Sequence, residues 1–360
     1  MTAAKAVTRY QVSRAELAEL LSDEPAYRVE QLWKGLYSEG LDIENISTLP
    51  KAMREQLGDL LPVALFDRVE RVSEGGETVK WLWGLGDGDA VETVLMHYTD
   101  RSTVCVSSQA GCAMACGFCA TGQEGFRRHL TTGEIVEQVV RARSAATPRR
   151  LSNVVFMGMG EPLANYDAVW ESIRRIHEDI GLSARHITMS TVGLVPGIRR
   201  MATENLPVSL AVSLHAATDE LRTELVPINA RYPIAELVDA CRGYVEASGR
   251  RLSFEWALIA GVNDTEEQAI ALSKLCKELR AHVNLIPLNP TPGYLTVGTD
   301  AAGVAQFQQW LLDRNTNATV RRNRGTDIDA ACGQLRAKAH AGTEDQAKST
   351  VVSPPKRRVR

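Results

Sequence analysis

Four of the chain's seven cysteines fall within fifteen residues, at positions 105, 112, 116 and 119. The last three make the spacing C-x3-C-x2-C in Gly111-Cys112-Ala113-Met114-Ala115-Cys116-Gly117-Phe118-Cys119. Three thiolates on one short loop can hold three irons of a [4Fe–4S] cluster, and the small residues between them allow a tight path. Four ligands would close such a cluster; three leave one iron open to a substrate. Zinc is the competing metal, but a structural zinc site wants four ligands, typically in two close pairs. The sequence offers no second close pair, and Cys241 and Cys276 sit inside helix-like patterns where they read as small buried hydrophobes.

Further polar groups fall where predicted strands end. Gly160-Glu161 follows one apolar run, and Ser190, Ser213, His215 and Asn289 close others. A glycine lets a ligand approach the backbone, a carboxylate can accept from an ammonium, and hydroxyl and imidazole groups can bind a ribose or a carboxylate. Each alone reads as a hydrogen-bonded core residue. Their convergence on one rim favours a ligand site.

A rhythm of elements positions these groups. Apolar or β-branched runs at Thr103 to Ser107, Asn153 to Met157, Ile187 to Thr191, Val208 to Leu214, Leu252 to Leu258, Val283 to Leu288 and Thr319 to Arg322 predict strands. Helical patterns lie between them at Thr132 to Ala145, Tyr166 to Asp179, Pro196 to Glu204, Ile234 to Ala247, Thr265 to Leu279 and Ala301 to Leu312. This alternation is α/β and predicts a (β/α) barrel, partial or full, with its site at the ends of the strands. The cysteine triplet follows the first of these strands. Residues 1–64 read as a small helical domain, with Ser13 and Glu16 as a capping box and a further helix from Lys51 after Pro50. Residues 65–99 read as a β-hairpin extension, in which Gly84 to Gly88 is a turn; 100–338 is the barrel. Residues 339–360, ending Lys356-Arg357-Arg358-Val359-Arg360, have the composition of a disordered basic tail.

The 360 residues suggest about two domains, with ample material for a core. Hydrophobic residues at 44% and charged residues at 24% exclude a wholly disordered chain. The net charge of -3 excludes a global basic excess, so nucleic-acid binding would need local patches, of which Arg127-Arg128 and Arg321-Arg322-Asn323-Arg324 lie nearest the rim. No apolar run is long enough to span a bilayer, and the first residues lack a signal peptide's apolar core. A cytoplasmic chain without a disulfide framework is expected.

The triplet after the first strand, with Phe118 before its last cysteine, resembles the radical-SAM superfamily. A narrower resemblance, over roughly residues 15 to 337, is to the RlmN/Cfr group of radical-SAM RNA adenine methylases. It is carried by Glu92-Thr93, Cys105-Val106-Ser107-Ser108-Gln109, Gly158-Met159-Gly160-Glu161-Pro162-Leu163, Ser213-Leu214-His215-Ala216, Asn284 to Pro290, and Arg324 to Leu335 with its Ala-Ala-Cys-Gly-Gln-Leu ending. The resemblance implies a [4Fe–4S] cluster on Cys112, Cys116 and Cys119, and S-adenosylmethionine bound by Gly160, Glu161, Ser190, Ser213, Leu214, His215 and Asn289. It further implies two molecules of S-adenosylmethionine per turnover. Cys332 would carry a methyl group, Cys105 would release the product through a disulfide with Cys332, and Glu92 would accept a proton. The implied substrates are adenine C2 in 23S rRNA and tRNA. Electrons would come from a reductase, flavodoxin or ferredoxin, and the chain would act as a monomer away from membranes. Two alternatives stand beside it. One is C8 methylation of adenine by the Cfr branch, which the same cysteines would serve. The other is a non-catalytic Fe–S carrier or RNA-binding module, which gives Cys105 and Cys332 nothing to do.

Overall fold

The computed structural model describes residues 7–289, 296–321, 324–330 and 334–335. The expectations at Cys332, at Arg322-Asn323 and beyond 339 lie outside the described residues. Three helices open the chain: α1 (Arg14–Leu20), α2 (Tyr27–Trp33) and α3 (Lys51–Leu60). The Ser13–Glu16 capping box forms in both directions and fixes where α1 begins. Their apolar faces, with Leu17, Leu32, Trp33 and Leu57 buried, make a second core that is completed by Val136 and Val140 of the later helix Thr132–Ala145.

Strands β1 (Phe66–Val72), β2 (Thr78–Gly84) and β3 (Ala90–His97) form an antiparallel meander. It does not stop at the barrel, because β3 pairs antiparallel with β4 (Ser102–Cys105). A small hairpin follows, β5 (Gln109–Gly111) with β6 (Phe126–His129), and helix α4 (Ala120–Glu124) lies inside it. The repeat then runs α5 (Thr132–Ala145), β7 (Leu151–Phe156), α6 (Tyr166–Glu178), β8 (Ile187–Thr191), α7 (Val195–Met201), β9 (Ser209–Ser213). It closes with α8 (Asp219–Leu225), α9 (Ile234–Ser248), β10 (Ser253–Leu258), α10 (Glu266–Leu279), β11 (His282–Pro287), α11 (Ala301–Asp313) and β12 (Ala318–Val320).

All strands but β5 and β6 join one sheet in the order β1-β2-β3-β4-β7-β8-β9-β10-β11-β12. From β4 onward every pairing in this sheet is parallel. Among the described residues β12 pairs with β11 and not with β4, so the barrel is partial. The central parallel strands are largely buried on both faces, and their Val, Ile, Leu and Phe fill one core with the helices outside. Trp256 and Phe307 stack at 5.8 Å within it, both fully buried. Truncating Trp256 to Ala would cost about 3–5 kcal/mol.

Candidate active site at the open rim of the partial barrel

The cysteine loop is shaped by backbone constraints. Gly111 has φ +72, and a Cβ there would stand 1.9 Å from the carbonyl oxygen of Gly125, so only glycine fits. The Cys112 N–H donates to that carbonyl at 2.9 Å, the Cys119 N–H to Cys116 O at 3.1 Å, and Gly117 N–H to Leu225 O at 3.2 Å. The loop is thereby tied to the hairpin, to itself and to the end of α8. Cys112 and Cys116 are buried and Cys119 is half-buried. Burial pushes the Cys112 thiol up to about 12 and raises that of Cys116 too, a direction that a bound cation would reverse.

All three cysteines line one cavity, about 940 Å³ of empty space with its open side included. The strand-end residues Gly160, Glu161, Ser190, Ser213 and His215 complete the wall, with Glu255 and Ala257 of β10 and Arg321 after β12. These strand-end groups and the three cysteines border the same space. Among the described residues, no three or more His, Cys, Asp or Glu gather tightly enough for a single metal ion. The cysteines surround a cavity instead of closing on one point.

Gly160 lies in the loop four residues beyond β7, at φ +101. A Cβ there would sit 2.6 Å from Gln109 Cβ, and one on Gly158 would sit 2.6 Å from Val106 O. The two glycines bring this loop against the end of β4. Glu161 is buried, and its oxygens accept the N–H groups of Leu163 at 3.0 Å and Val192 at 2.9 Å. Burial raises its carboxyl to about 7 against the lowering effect of those bonds. Glu161 therefore staples the rim while it faces the cavity.

His215 takes a left-handed conformation at φ +59 just after β9. Its Nδ1 accepts the Ala257 N–H at 3.0 Å, which assigns the ring proton to Nε2. Burial, helped by the nearby Arg222 charge, pushes its pKa down to about 3. The ring meets Phe118 of the cysteine loop edge-on at 4.7 Å, which gives the aromatic residue before Cys119 a packing role.

Leu214 and Asn289 complete the set expected at the cofactor. The Leu214 side chain is fully buried in the apolar core, while its N–H pairs with Glu255 O and its carbonyl accepts from Arg222. Asn289 lies two residues beyond the end of β11, next to Leu288 of the cavity wall. Arg128 pairs with Asp87 and with both Glu134 oxygens at 2.8 Å, and Arg127 stands 3.6 Å from Asp89. The acidic turn after β2 engages Arg128, while the Arg127 side chain stays largely exposed.

Cys105 ends β4 and Glu92 lies in β3, both buried. Glu92 makes an ion pair at 3.0 Å with Lys80, whose side chain is equally buried. Lys80 was not singled out from the sequence. Neither was Arg222, fully buried behind the cavity and bonded to Leu214 O, Asn229 Oδ1 and Val192 O. Glu255 was also missed. Its carboxylate accepts from Ser253 Oγ at 3.0 Å and Asn284 Nδ2 at 2.8 Å, and burial holds its pKa up against the Arg321 charge. A charged residue inside an apolar run was the available signal for Lys80 and Glu255.

Comparison with known proteins agrees with this geometry. Residues 106–273 match the model of the Radical SAM superfamily. The chain is 49% identical over 344 residues to the probable dual-specificity RNA methyltransferase RlmN of Chloroflexus aurantiacus, covering 91% of this chain and 92% of that one. It is 50% identical over 335 residues to the protein of the same name from Moorella thermoacetica, covering 89% and 94%. The crystal structure of a radical SAM methyltransferase from Sphaerobacter thermophilus superimposes with a TM-score of 0.90 at 48% identity, over 92% of this chain and 100% of that chain. With one cavity joining the cysteine triplet to the strand-end groups, and identity of this extent, the chain belongs to the RlmN family of radical SAM RNA methyltransferases.

Proposed function

We propose that the chain methylates C2 of adenine in 23S rRNA and tRNA. The carrying observation is the meeting of Cys112, Cys116 and Cys119 with Gly160, Ser190, Ser213 and His215 around a single cavity. Radical SAM membership implies a [4Fe–4S] cluster and S-adenosylmethionine, and the residues fit both. An all-cysteine set of three suits one cluster with an open iron, and the glycine-lined wall leaves room for a ligand against the backbone. When bound there, the cluster and S-adenosylmethionine supply a 5′-deoxyadenosyl radical. Gly160 offers its backbone, Ser190 and Ser213 their hydroxyls, and neutral His215 its Nε2–H to hold and orient the cofactor.

Adenine C2 is electron-poor and unsuited to polar attack on a methyl sulfonium, so a methyl group carried by the protein is needed. Cys332 would take that methyl from one S-adenosylmethionine, give up one of its hydrogen atoms to the 5′-deoxyadenosyl radical drawn from a second, and bond to C2 through the resulting methylene carbon. Glu92 would accept the proton lost from C2 as the adduct radical gives one electron back to the iron–sulfur site and the ring regains its aromaticity. The Cys105 thiolate would then attack the sulfur of Cys332, forming a disulfide and breaking the sulfur–methylene bond, and the released methylene carbon would take a proton to become the methyl group of the base. A flavodoxin, ferredoxin or reductase supplies electrons, and the enzyme works as a cytoplasmic monomer where its RNAs are.

Anaerobically reconstituted protein, given RNA, excess S-adenosylmethionine and reductant, should yield 2-methyladenosine by nucleoside mass analysis. Only 8-methyladenosine would support the Cfr alternative, and an intact cluster without S-adenosylmethionine cleavage would support an electron carrier. Cys112→Ala should lose its iron, whereas Cys276→Ala, in a buried helical position, should retain it.

A further inference from the structure

Residues 324–330 are docked on the three-stranded extension by contacts of several kinds. Arg324 donates to Glu77 Oε2 at 2.9 Å and to His97 O at 2.8 Å, and its guanidinium lies 4.4 Å over the Tyr98 ring. The Glu74 N–H donates to Asp327 Oδ2 at 2.8 Å. Gly325, at φ +64, packs so closely on Thr78 that a Cβ would stand 2.8 Å from Thr78 Cγ2. Lys80 Nζ donates to the Asp329 carbonyl at 3.0 Å. Beyond position 332, Thr121 Oγ1, in the helix after the cysteine triplet, donates to Leu335 O at 2.7 Å. Asp329 and Leu335 each lie three residues from Cys332 in sequence.

The Lys80 ammonium thus serves two partners at 3.0 Å, Glu92 Oε1 and Asp329 O. Sheet register adds a third relationship. Lys80 pairs across from Val94, and Val94 from Cys105. Directly opposed residues share a face, so Lys80, Val94 and Cys105 form one row, with Glu92 two residues along on the same face. A buried lysine is costly unless paired and hydrogen-bonded, and its compact three-donor head suits it to bridging acceptors from different segments.

We propose that Lys80 is a positioning residue for methyl transfer: one ammonium holds the Glu92 carboxylate and the Asp329 carbonyl together, so the proton acceptor and the segment leading to Cys332 are presented on the face that carries Cys105. This rests on the roles given above to Glu92, Cys105 and Cys332. It assigns the extension a task, as the platform on which residues 324–330 are seated.

The test compares wild type with Lys80→Met and Lys80→Arg in the reconstituted full chain. Two quantities are read: methylated adenine formed per 5′-deoxyadenosine released, and kcat and KM for RNA separately. Lys80→Met should lower the ratio at least tenfold through kcat, with KM within twofold. Lys80→Arg, which keeps the charge, should recover a third or more of the lost ratio. A Lys80→Met ratio within twofold of wild type, or a loss confined to KM, would overturn the assignment. If Lys80→Met does not fold, Asp327→Ala, which removes an exposed contact of the same docked segment, reads the docking alone. It should lower the ratio threefold or more, and an unchanged ratio would overturn the platform. Failure of wild type to make 2-methyladenosine would instead refute the proposed function.

Discussion

The Asn263 side chain donates to the carbonyl of His215 at 2.8 Å and to that of Ala257 at 2.7 Å. It thereby clamps the left-handed turn after β9 against the end of β10 and keeps the His215 ring at the cavity wall. With Nδ1 accepting from Ala257, His215 can stay neutral only by keeping its proton on Nε2.

That neutrality has a measurable linkage. The His215 pKa is about 3 in the folded chain against 6.5 for an ordinary histidine. Between those values the unfolded chain binds the extra proton, so stability rises with pH across the window and is lost as pH falls. His215→Asn keeps a side chain that tolerates the left-handed region and removes the titration. In urea unfolding near pH 5, the wild-type slope should exceed that of the variant by about 1.4 kcal/mol per pH unit. Equal slopes would show that His215 is protonated in the folded protein.

Gly160 should admit no side chain. Gly160→Ala would press a Cβ into Gln109 at φ +101, with a cost of about 1–3 kcal/mol from backbone strain alone. The Gln109 side chain also accepts the Glu161 N–H at 2.8 Å, so displacing it disturbs the rim. A lower melting temperature together with weakened S-adenosylmethionine binding is expected. An unchanged affinity would separate this loop from the cofactor.

Arg128 should behave as a structural cation. It joins the turn after β2 to Glu134, which also caps α5. Arg128→Ala should destabilise the protein by about 1–3 kcal/mol and leave the salt dependence of RNA binding unchanged. A shallower salt slope in a fully folded variant would restore the phosphate-binding role.

The repeating framework was legible because each element carries a local signal. Helix α5 begins and ends where its pattern predicts, and the Thr131–Glu134 capping box explains its start. The barrel strands fall within about two residues of their apolar runs because parallel strands buried on both faces stay apolar. Helix α8 escaped notice since its buried position is an arginine, Arg222, where periodicity looks for an apolar residue. Strands β5 and β6 are only three and four residues long, too short to show alternation. The site was legible where chemistry depends on spacing, as in Cys112, Cys116 and Cys119. Lys80 and Glu255 stand out in the sequence only as charged residues inside apolar runs, and their partners depend on cross-strand register and burial, which the folded sheet specifies.

The central claim is the division of labour between Cys105 and Cys332, and covalent trapping tests it most directly. Cys105 would act only after the new carbon–carbon bond exists. Cys105→Ala, incubated with RNA, S-adenosylmethionine and reductant, should therefore accumulate protein joined to RNA through a methylene bridge on Cys332. That species should survive denaturant and thiol and vanish on nuclease digestion, because the link is a thioether. Cys332→Ala should give no such species and no methylated Cys332. Free turnover by Cys105→Ala, or the same adduct from Cys332→Ala, would contradict the account.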